Sequence, residues 1–134
     1  MQVSLHPKEV ERYRLQGRMV PVPQRVRGII DSAAMRTCIS EKTVRAMLLE
    51  PVDHVTLHFA SGESRSAMHH LSLQLASQQE RPPDPISVRA QAVPEVLGAE
   101  VLVGLDVLRL GEFVLFGPDS RYELILPRTA HPVT

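Results

Sequence analysis

Residues 26–34 of this chain read Val-Arg-Gly-Ile-Ile-Asp-Ser-Ala-Ala, and residues 101–108 read Val-Leu-Val-Gly-Leu-Asp-Val-Leu. The first stretch is an apolar run followed by one aspartate, Asp31, which begins a turn of small residues. The second is an apolar run that ends at Gly104 and continues into a pattern typical of a short helix. Either stretch alone is common in unrelated domains, so the fold prediction depends on both and on their order.

The composition predicts one domain without a nucleic-acid partner. The chain has 134 residues, of which 43% are hydrophobic, and this is enough for the core of a single domain. Fifteen basic and fifteen acidic residues give a formal net charge of zero, so no overall field attracts polyanions or an acidic membrane surface. Cys38 is the only cysteine, which excludes an internal disulfide and a metal site built from several cysteines.

The distribution of apolar residues predicts a cytoplasmic location with no membrane partner. The first ten residues contain no continuous apolar run of the kind found in a secretory signal. The most apolar region, residues 97–116, is interrupted by four charged side chains that would be costly in a bilayer: Glu100, Asp106, Arg109 and Glu112. The single cysteine also fits a reducing compartment.

Alternating apolar and polar residues predict a mainly β chain. The predicted strands are residues 19–30, 54–59, 71–75, 86–92, 101–103, 113–116 and 122–126. The second and third of these form a predicted hairpin with a long polar tip that includes Ser61 and Gly62. The last two flank a tight turn at Gly117-Pro118-Asp119-Ser120.

Few helices are predicted. Ser40 is placed to cap a helix that runs to Leu49 before Pro51, with Val44, Met47 and Leu48 on one side. Residues 107–110 predict one further helical turn that ends at a glycine. Residues 1–18 are rich in charge and have no strong period, so we interpret them as an exposed arm or a short helix. Residues 78–85 contain three prolines and predict a loop.

Three segments, taken in order, resemble the retropepsin-like aspartic proteases. In residues 26–40, Asp31-Ser32-Ala33-Ala34 stands where that family has Asp-Thr/Ser-Gly-Ala/Ser. Ala60-Ser61-Gly62-Glu63 resembles the flap, and Val103-Gly104-Leu105-Asp106 resembles the loop that closes around the catalytic turn. The resemblance covers residues 19–127, between an N-terminal arm (1–18) and a C-terminal tail (128–134). It implies an acid-protease-like closed β-barrel with one or two short helices.

The resemblance also implies a mechanism that needs two copies of the chain. Aspartic proteases hold two carboxylates so close that they share a proton, and one acts as base towards water while the other acts as acid. This chain supplies one such aspartate, so a two-fold homodimer would pair Asp31 with its symmetry mate. Ser32 would brace the opposite catalytic turn, with Ala33 and Ala34 beside it. The flap would close over an extended peptide or protein substrate, and no cofactor is implied.

One residue differs from the family motif: Ala33 stands where the family has glycine. Glycine allows a close approach of backbone or ligand, which a methyl group can obstruct. Two interpretations stay open: the local geometry tolerates alanine, or the site is degenerate. The leading function is therefore peptide bond hydrolysis, and the alternative is a catalytically impaired dimerisation or peptide-binding module. A third reading is a subunit or regulatory domain of a larger polypeptide.

The other polar residues, and Asp31 when it is considered alone, have structural interpretations. Asp31 alone would be read as an Asx turn at a strand end. Asp106 is predicted to cap the last helix rather than to act in catalysis. His54 and His58 have the spacing of a helical metal pair, but the surrounding alternation indicates a strand, and no metal site is predicted there or at His69-His70. Cys38 is predicted to be a small buried side chain.

Overall fold

The computed structural model describes residues 1–77, 80–81 and 83–127. Within these residues the strands are β1 Gln2–Leu5, β2 Gln24–Arg25, β3 Gly28–Ile30, β4 Cys38–Ser40, β5 Asp53–Phe59, β6 Gly62–Gln74, β7 Ile86–Val93, β8 Val101–Val103, β9 Glu112–Phe116 and β10 Arg121–Ile125. The helices are α1 Pro7–Leu15, α2 Glu41–Ala46 and α3 Leu105–Leu108, with a 3-10 turn at Gly117–Asp119. The chain is mainly β with few helices, as the alternation predicted.

The main sheet curls into a half-barrel. In the described residues it has the strand order β2-β1-β6-β7-β4-β8-β3, and β5 pairs with the first part of β6. Its two end strands, β2 and β3, are separated in the chain only by Val26 and Arg27. Val26 exchanges backbone hydrogen bonds with Met1, whereas the carbonyl of Arg27 accepts one from Glu100 at 3.0 Å. One extended segment therefore bonds to both ends of the sheet, and the sheet must curl to allow it.

The core lies on one face of the central strands. The pairing register of β1, β6 and β7 aligns two rows of buried side chains, Leu5-Leu71-Val88 and Val3-Leu73-Ile86. Side chains that alternate along a strand point to one face, so the same register that pairs the backbones also packs these rows. Burial of an aliphatic side chain of this size stabilises a fold by about 1.5–3 kcal/mol.

The N-terminal segment is part of this core, which corrects the prediction of an exposed arm. The alternative of a short helix is confirmed by α1, but β1 pairs with both β2 and β6. Tyr13 of α1 is fully buried, and its hydroxyl donates to the carbonyl of Leu48 and accepts from the N–H of Glu50, each at 3.1 Å. The sequence did not predict this burial, because most side chains of α1 are charged and only Val10 and Tyr13 provide an apolar inner side.

Helix α2 begins where the sequence predicted and ends earlier. The hydroxyl of Ser40 accepts a hydrogen bond from the N–H of Thr43, which is the predicted cap. The helix ends at Ala46 because Leu48 adopts a left-handed conformation (φ 52°), and the N–H groups of Leu48 and Leu49 close the last turn. Leu48 is consequently exposed rather than packed beside Met47. No helix in the described part of the chain is long and apolar enough to span a membrane.

Both predicted hairpins are present, with one difference in length. Phe59 pairs with Gly62, so the β5–β6 turn consists of Ala60 and Ser61 and is short rather than long. The β9–β10 hairpin forms around the 3-10 turn as predicted. The last helical turn lies at Leu105–Leu108, two residues before its predicted position. Residues 78, 79 and 82 of the predicted loop and the predicted tail, 128–134, lie outside the described residues.

Two histidines stack at the start of α1. The rings of His6 and His70 are 3.7 Å apart between centroids and nearly parallel. His6 caps α1, because its Nδ1 accepts a hydrogen bond from the N–H of Lys8 at 3.1 Å. Burial and then the Lys8 charge lower the pKa of His6, and burial and then His6 lower the pKa of His70. Protonation of His6 would remove the acceptor and place a positive charge at the positive end of the helix dipole.

We expect the free energy of unfolding to fall as the pH is lowered from 7.5 to 5. A histidine whose folded-state pKa lies below its ordinary value of about 6.5 stabilises the fold at pH values above about 6.5. This stabilisation is lost as the pH falls through the folded-state pKa. Urea denaturation across this pH range measures it. His6→Asn retains a capping side chain and should reduce the pH dependence. Equal pH dependence in His6→Asn and the unmodified chain would contradict the assignment.

Candidate active site

Asp31 stands at the end of a parallel strand pair, of which β8 is largely buried and β3 is partly exposed. β3 pairs with β8 in the register Gly28 with Val101 through Ile30 with Val103. The N–H of Asp31 continues this ladder by donating to the carbonyl of Val103 at 3.0 Å. The apolar pairing ends at that point, and Asp31 leaves the strand half-buried. A carboxylate placed after an apolar strand needs either solvent or hydrogen bonds, and Asp31 has both.

The carboxylate of Asp31 helps to form the turn that follows it. Its Oδ1 accepts a hydrogen bond from the N–H of Ala33 at 2.9 Å, and its carbonyl accepts one from the N–H of Ala34 at 3.2 Å. This is the Asx turn that the sequence analysis considered for Asp31. Ser32 and Ala33 are exposed, and Ala33 is not among the residues with positive φ. Alanine at position 33 therefore introduces no left-handed backbone strain.

The turn after Asp31 crosses the end of β8. Strand β8 lies between β3, to which it is parallel, and β4, to which it is antiparallel. The chain between β3 and β4 must therefore pass over the residue that follows β8, which is Gly104. The N–H of the next residue, Leu105, donates to the carbonyl of Ala34 at 2.8 Å. The structure thus brings together two of the segments that the sequence analysis selected, residues 31–34 and 103–106.

A side-chain clamp holds the far end of this turn. The carboxylate of Asp106 accepts hydrogen bonds from the N–H of Thr37 at 3.0 Å and from its hydroxyl at 2.7 Å. The Thr37 hydroxyl in turn accepts from the N–H of Gly104 at 3.2 Å, and Thr37 is fully buried. Asp106 is thus structural, but the cap prediction is wrong, because Gly104 is the N-cap of α3 and Asp106 lies two residues later. Sequence reasoning missed Thr37, for which the only signal was a polar residue before the apolar strand β4.

Cys38 lies beside the same turn. It is half-buried rather than fully buried, and its Sγ donates to the carbonyl of Arg36 at 3.6 Å. Burial raises the pKa of the Cys38 thiol, and the carboxylates of Asp106 and Asp31 raise it further. The thiolate is the reactive form of cysteine, so this environment suppresses nucleophilic chemistry at Cys38.

The flap residues lie at the tip of the β5–β6 hairpin. Ala60, Ser61, Gly62 and Glu63 are all exposed, and Gly62 has a φ of 130° that favours glycine. Glu63 contacts His58 across the strands at 3.2 Å. Among the described residues, no hydrogen bond joins this tip to the Asp31 turn. No group of three or more metal-ligating side chains occurs in the described part of the chain.

Comparison with known proteins adds no relative to this geometry. No protein-family model matches the chain, and neither the curated proteins nor the solved structures contain a match.

Gly104→Ala should destabilise the fold by about 1–3 kcal/mol, as overpacking of a close contact does. A Cβ at this position would lie 2.6 Å from the carbonyl carbon of Arg36 and 2.9 Å from the carbonyl oxygen of Ala34, both of which belong to the Asp31 turn. Urea denaturation measures the change. Gly117→Ala is the control, since a Cβ there meets nothing within 4 Å, and it should change stability by less than about 0.5 kcal/mol. Equal stability of the two variants would contradict the close approach at Gly104.

Proposed function

We propose that the chain is an aspartic-type peptidase that acts as a homodimer, with Asp31 from each copy forming the catalytic dyad. The observation that carries the proposal is the construction of the Asp31 turn. Its start is bonded to β8, its middle to α3 through Leu105, and its end to Asp106 through Thr37. Catalytic groups must be held in place by rigid surroundings, and this turn is bonded at three points while Asp31 keeps access to solvent.

The curled sheet supports the same proposal. The segment of residues 24–30 bonds to Met1 on one side and to Glu100 on the other. Such a connection is what an acid-protease-like closed barrel over residues 19–127 requires at its seam. The exposed β5–β6 hairpin, with the flap residues at its tip, supplies a projecting arm suited to cover an extended peptide. A cytoplasmic location completes the proposal.

The proposed chemistry needs both carboxylates of the dyad. The charged one takes a proton from water, and the water oxygen bonds to the carbonyl carbon of the substrate while the protonated carboxyl donates its proton to the carbonyl oxygen. Collapse of the tetrahedral intermediate breaks the C–N bond, and one of its two hydroxyl groups returns a proton to the carboxylate that had protonated the carbonyl oxygen. The leaving amine then receives a proton from the carboxyl that accepted one from water. Ser32, exposed next to Asp31, would brace the turn of the second copy.

The second candidate is a non-catalytic peptide-binding or dimerisation module with the same fold. The Asx turn favours it, because the hydrogen bond from Ala33 gives the Asp31 carboxylate a structural role in a single copy. In this case the groove binds peptides without cleaving them. The two candidates differ in turnover rather than in binding.

Asp31→Asn should abolish peptide cleavage, because an amide cannot act as the base of the dyad. The measurement is cleavage of a mixed peptide library at mildly acidic pH, the condition that suits a carboxyl pair sharing one proton. Asp119→Asn, an exposed residue in the β9–β10 turn, is the matched control and should retain full activity. Cleavage at an unchanged rate by Asp31→Asn would refute the proposed role of Asp31. Peptide binding without cleavage by the unmodified chain would support the second candidate.

Ala33→Gly should raise turnover if the alanine methyl group keeps the two Asp31 turns apart. A displacement of about 1 Å in a reacting group can reduce a rate on the order of a hundredfold. The substitution itself should lower stability by only about 1 kcal/mol or less. The test compares turnover of one peptide by both chains, with Asp31→Asn as the blank. Equal and substantial rates would show that alanine is tolerated.

A further inference from the structure

The β9–β10 hairpin stands apart from the curled sheet. β9 and β10 pair only with each other in the described residues, in the register Glu112 with Ile125 through Phe116 with Arg121. The base of the hairpin is anchored, because Phe113 and Leu124 pack against the core. The rest extends beyond it. A two-stranded hairpin is marginally stable in water without further packing, so the outer part lacks the support that the base has.

The hairpin exposes apolar side chains on both faces, at its base as well as in its outer part. Leu115 and Tyr122, which are directly opposite each other, are 67% and 54% exposed. On the other face, Val114 is 39% and Ile125 is 53% exposed. An exposed strand edge that also carries apolar side chains promotes pairing with another strand.

The charges on β10 identify the strand that would fit its edge. We propose that β10 pairs antiparallel with β10 of a second copy of this chain, about a two-fold axis at Tyr122. In this register Arg121 faces Glu123 of the second copy, and Glu123 faces its Arg121. Directly opposed opposite charges stabilise a strand pair, and like charges destabilise it. The sequence Arg-Tyr-Glu is therefore complementary to itself in the antiparallel direction.

Other two-fold registers lack this complementarity. Side chains that face each other must lie on the same side of the sheet, so the axis has to pass through a residue that faces its own copy. An axis at Arg121 or Glu123 opposes two like charges, and an axis at Leu124 leaves Glu123 facing Ile125. On β9, an axis at Val114 places Glu112 opposite Phe116.

The proposed pairing also brings exposed apolar residues of the two copies together. It makes a four-stranded sheet in the order β9-β10-β10-β9, in which Leu115 and Tyr122 of both copies form one continuous row. In the single copy the guanidinium of Arg121 lies 4.6 Å from the ring centroid of Phe116 on β9. Because β9 and the proposed partner strand lie on opposite sides of β10, the Arg121 side chain would turn away from Phe116 to meet Glu123 of the second copy. This inference deepens the proposed function, which requires a dimer, but it rests on the hairpin alone and is tested without reference to catalysis.

A charge exchange tests the register. Arg121→Glu and Glu123→Arg each convert two attractive contacts into two repulsive ones, so each should raise the dissociation constant of the dimer at least about tenfold. The double variant restores opposite charges and should return to within about threefold of the unmodified chain. Sedimentation equilibrium of the full chain measures the constants, and circular dichroism confirms folding. A monomeric unmodified chain at 100 micromolar, single variants that dimerise normally, or a folded double variant that stays monomeric would each overturn the proposal.

Disulfide trapping provides a second, independent test of the proposed β10–β10 register. Residues that face each other across antiparallel strands have Cα atoms about 4.5–5.5 Å apart, which a disulfide can bridge. Tyr122→Cys should therefore form a covalent dimer on mild oxidation. Val114→Cys lies on the outer strand of the proposed sheet, carries the same Cys38 background, and should not. Equal crosslinking of both variants would overturn the register. Asp31→Asn should leave crosslinking of Tyr122→Cys unchanged, which separates this inference from the proposed catalysis.

Discussion

The hydrogen bonds between Thr37 and Asp106 are the constraint on which the rest of the site depends. They join a buried threonine to a carboxylate 69 positions further along the chain, and the Gly104 backbone completes the arrangement. A buried polar group that loses its partner costs about 1–3 kcal/mol, so this clamp tolerates little change. It determines where the turn after Asp31 ends, and the Asp31–Val103 hydrogen bond determines where the turn begins. The geometry of the turn follows from these two points.

The curled sheet connects this local clamp to the whole molecule. β8 leads into Gly104 and then into α3, which contains Asp106. Because β8 lies between β3 and β4, the main sheet holds the site. The N-terminal strand and α1 belong to that core, with Tyr13 bonded to the chain that follows α2. A change at the N-terminus, such as protonation of His6, therefore acts on the fold that positions the site, although it touches none of the site residues.

The proposed function and the proposed dimer surface rest on two features that a single copy of the chain leaves without a partner. The Asp31 turn is rigid and accessible but supplies one carboxylate where the proposed chemistry needs two. The β9–β10 hairpin is anchored at its base but leaves apolar side chains of both strands in solvent. A second copy of the chain would supply the second carboxylate of the proposed dyad, and it would also supply a strand for the edge of β10. The zero net charge of the chain places no overall repulsion in the way of such self-association.

The sequence by itself determined the mainly β class, the strand that delivers Asp31, the Ser40 cap and the C-terminal hairpin, because alternation, capping and turn chemistry are local properties. It also selected residues 31–34 and 103–106 as a pair. Only the tertiary structure decided that β8 lies between β3 and β4, that Thr37 holds Asp106, and that the N-terminal segment is buried. Each of these depends on contacts between distant parts of the chain. The local sequence pattern does not show which distant residue will form a hydrogen bond with a buried hydroxyl or pack against an apolar side chain.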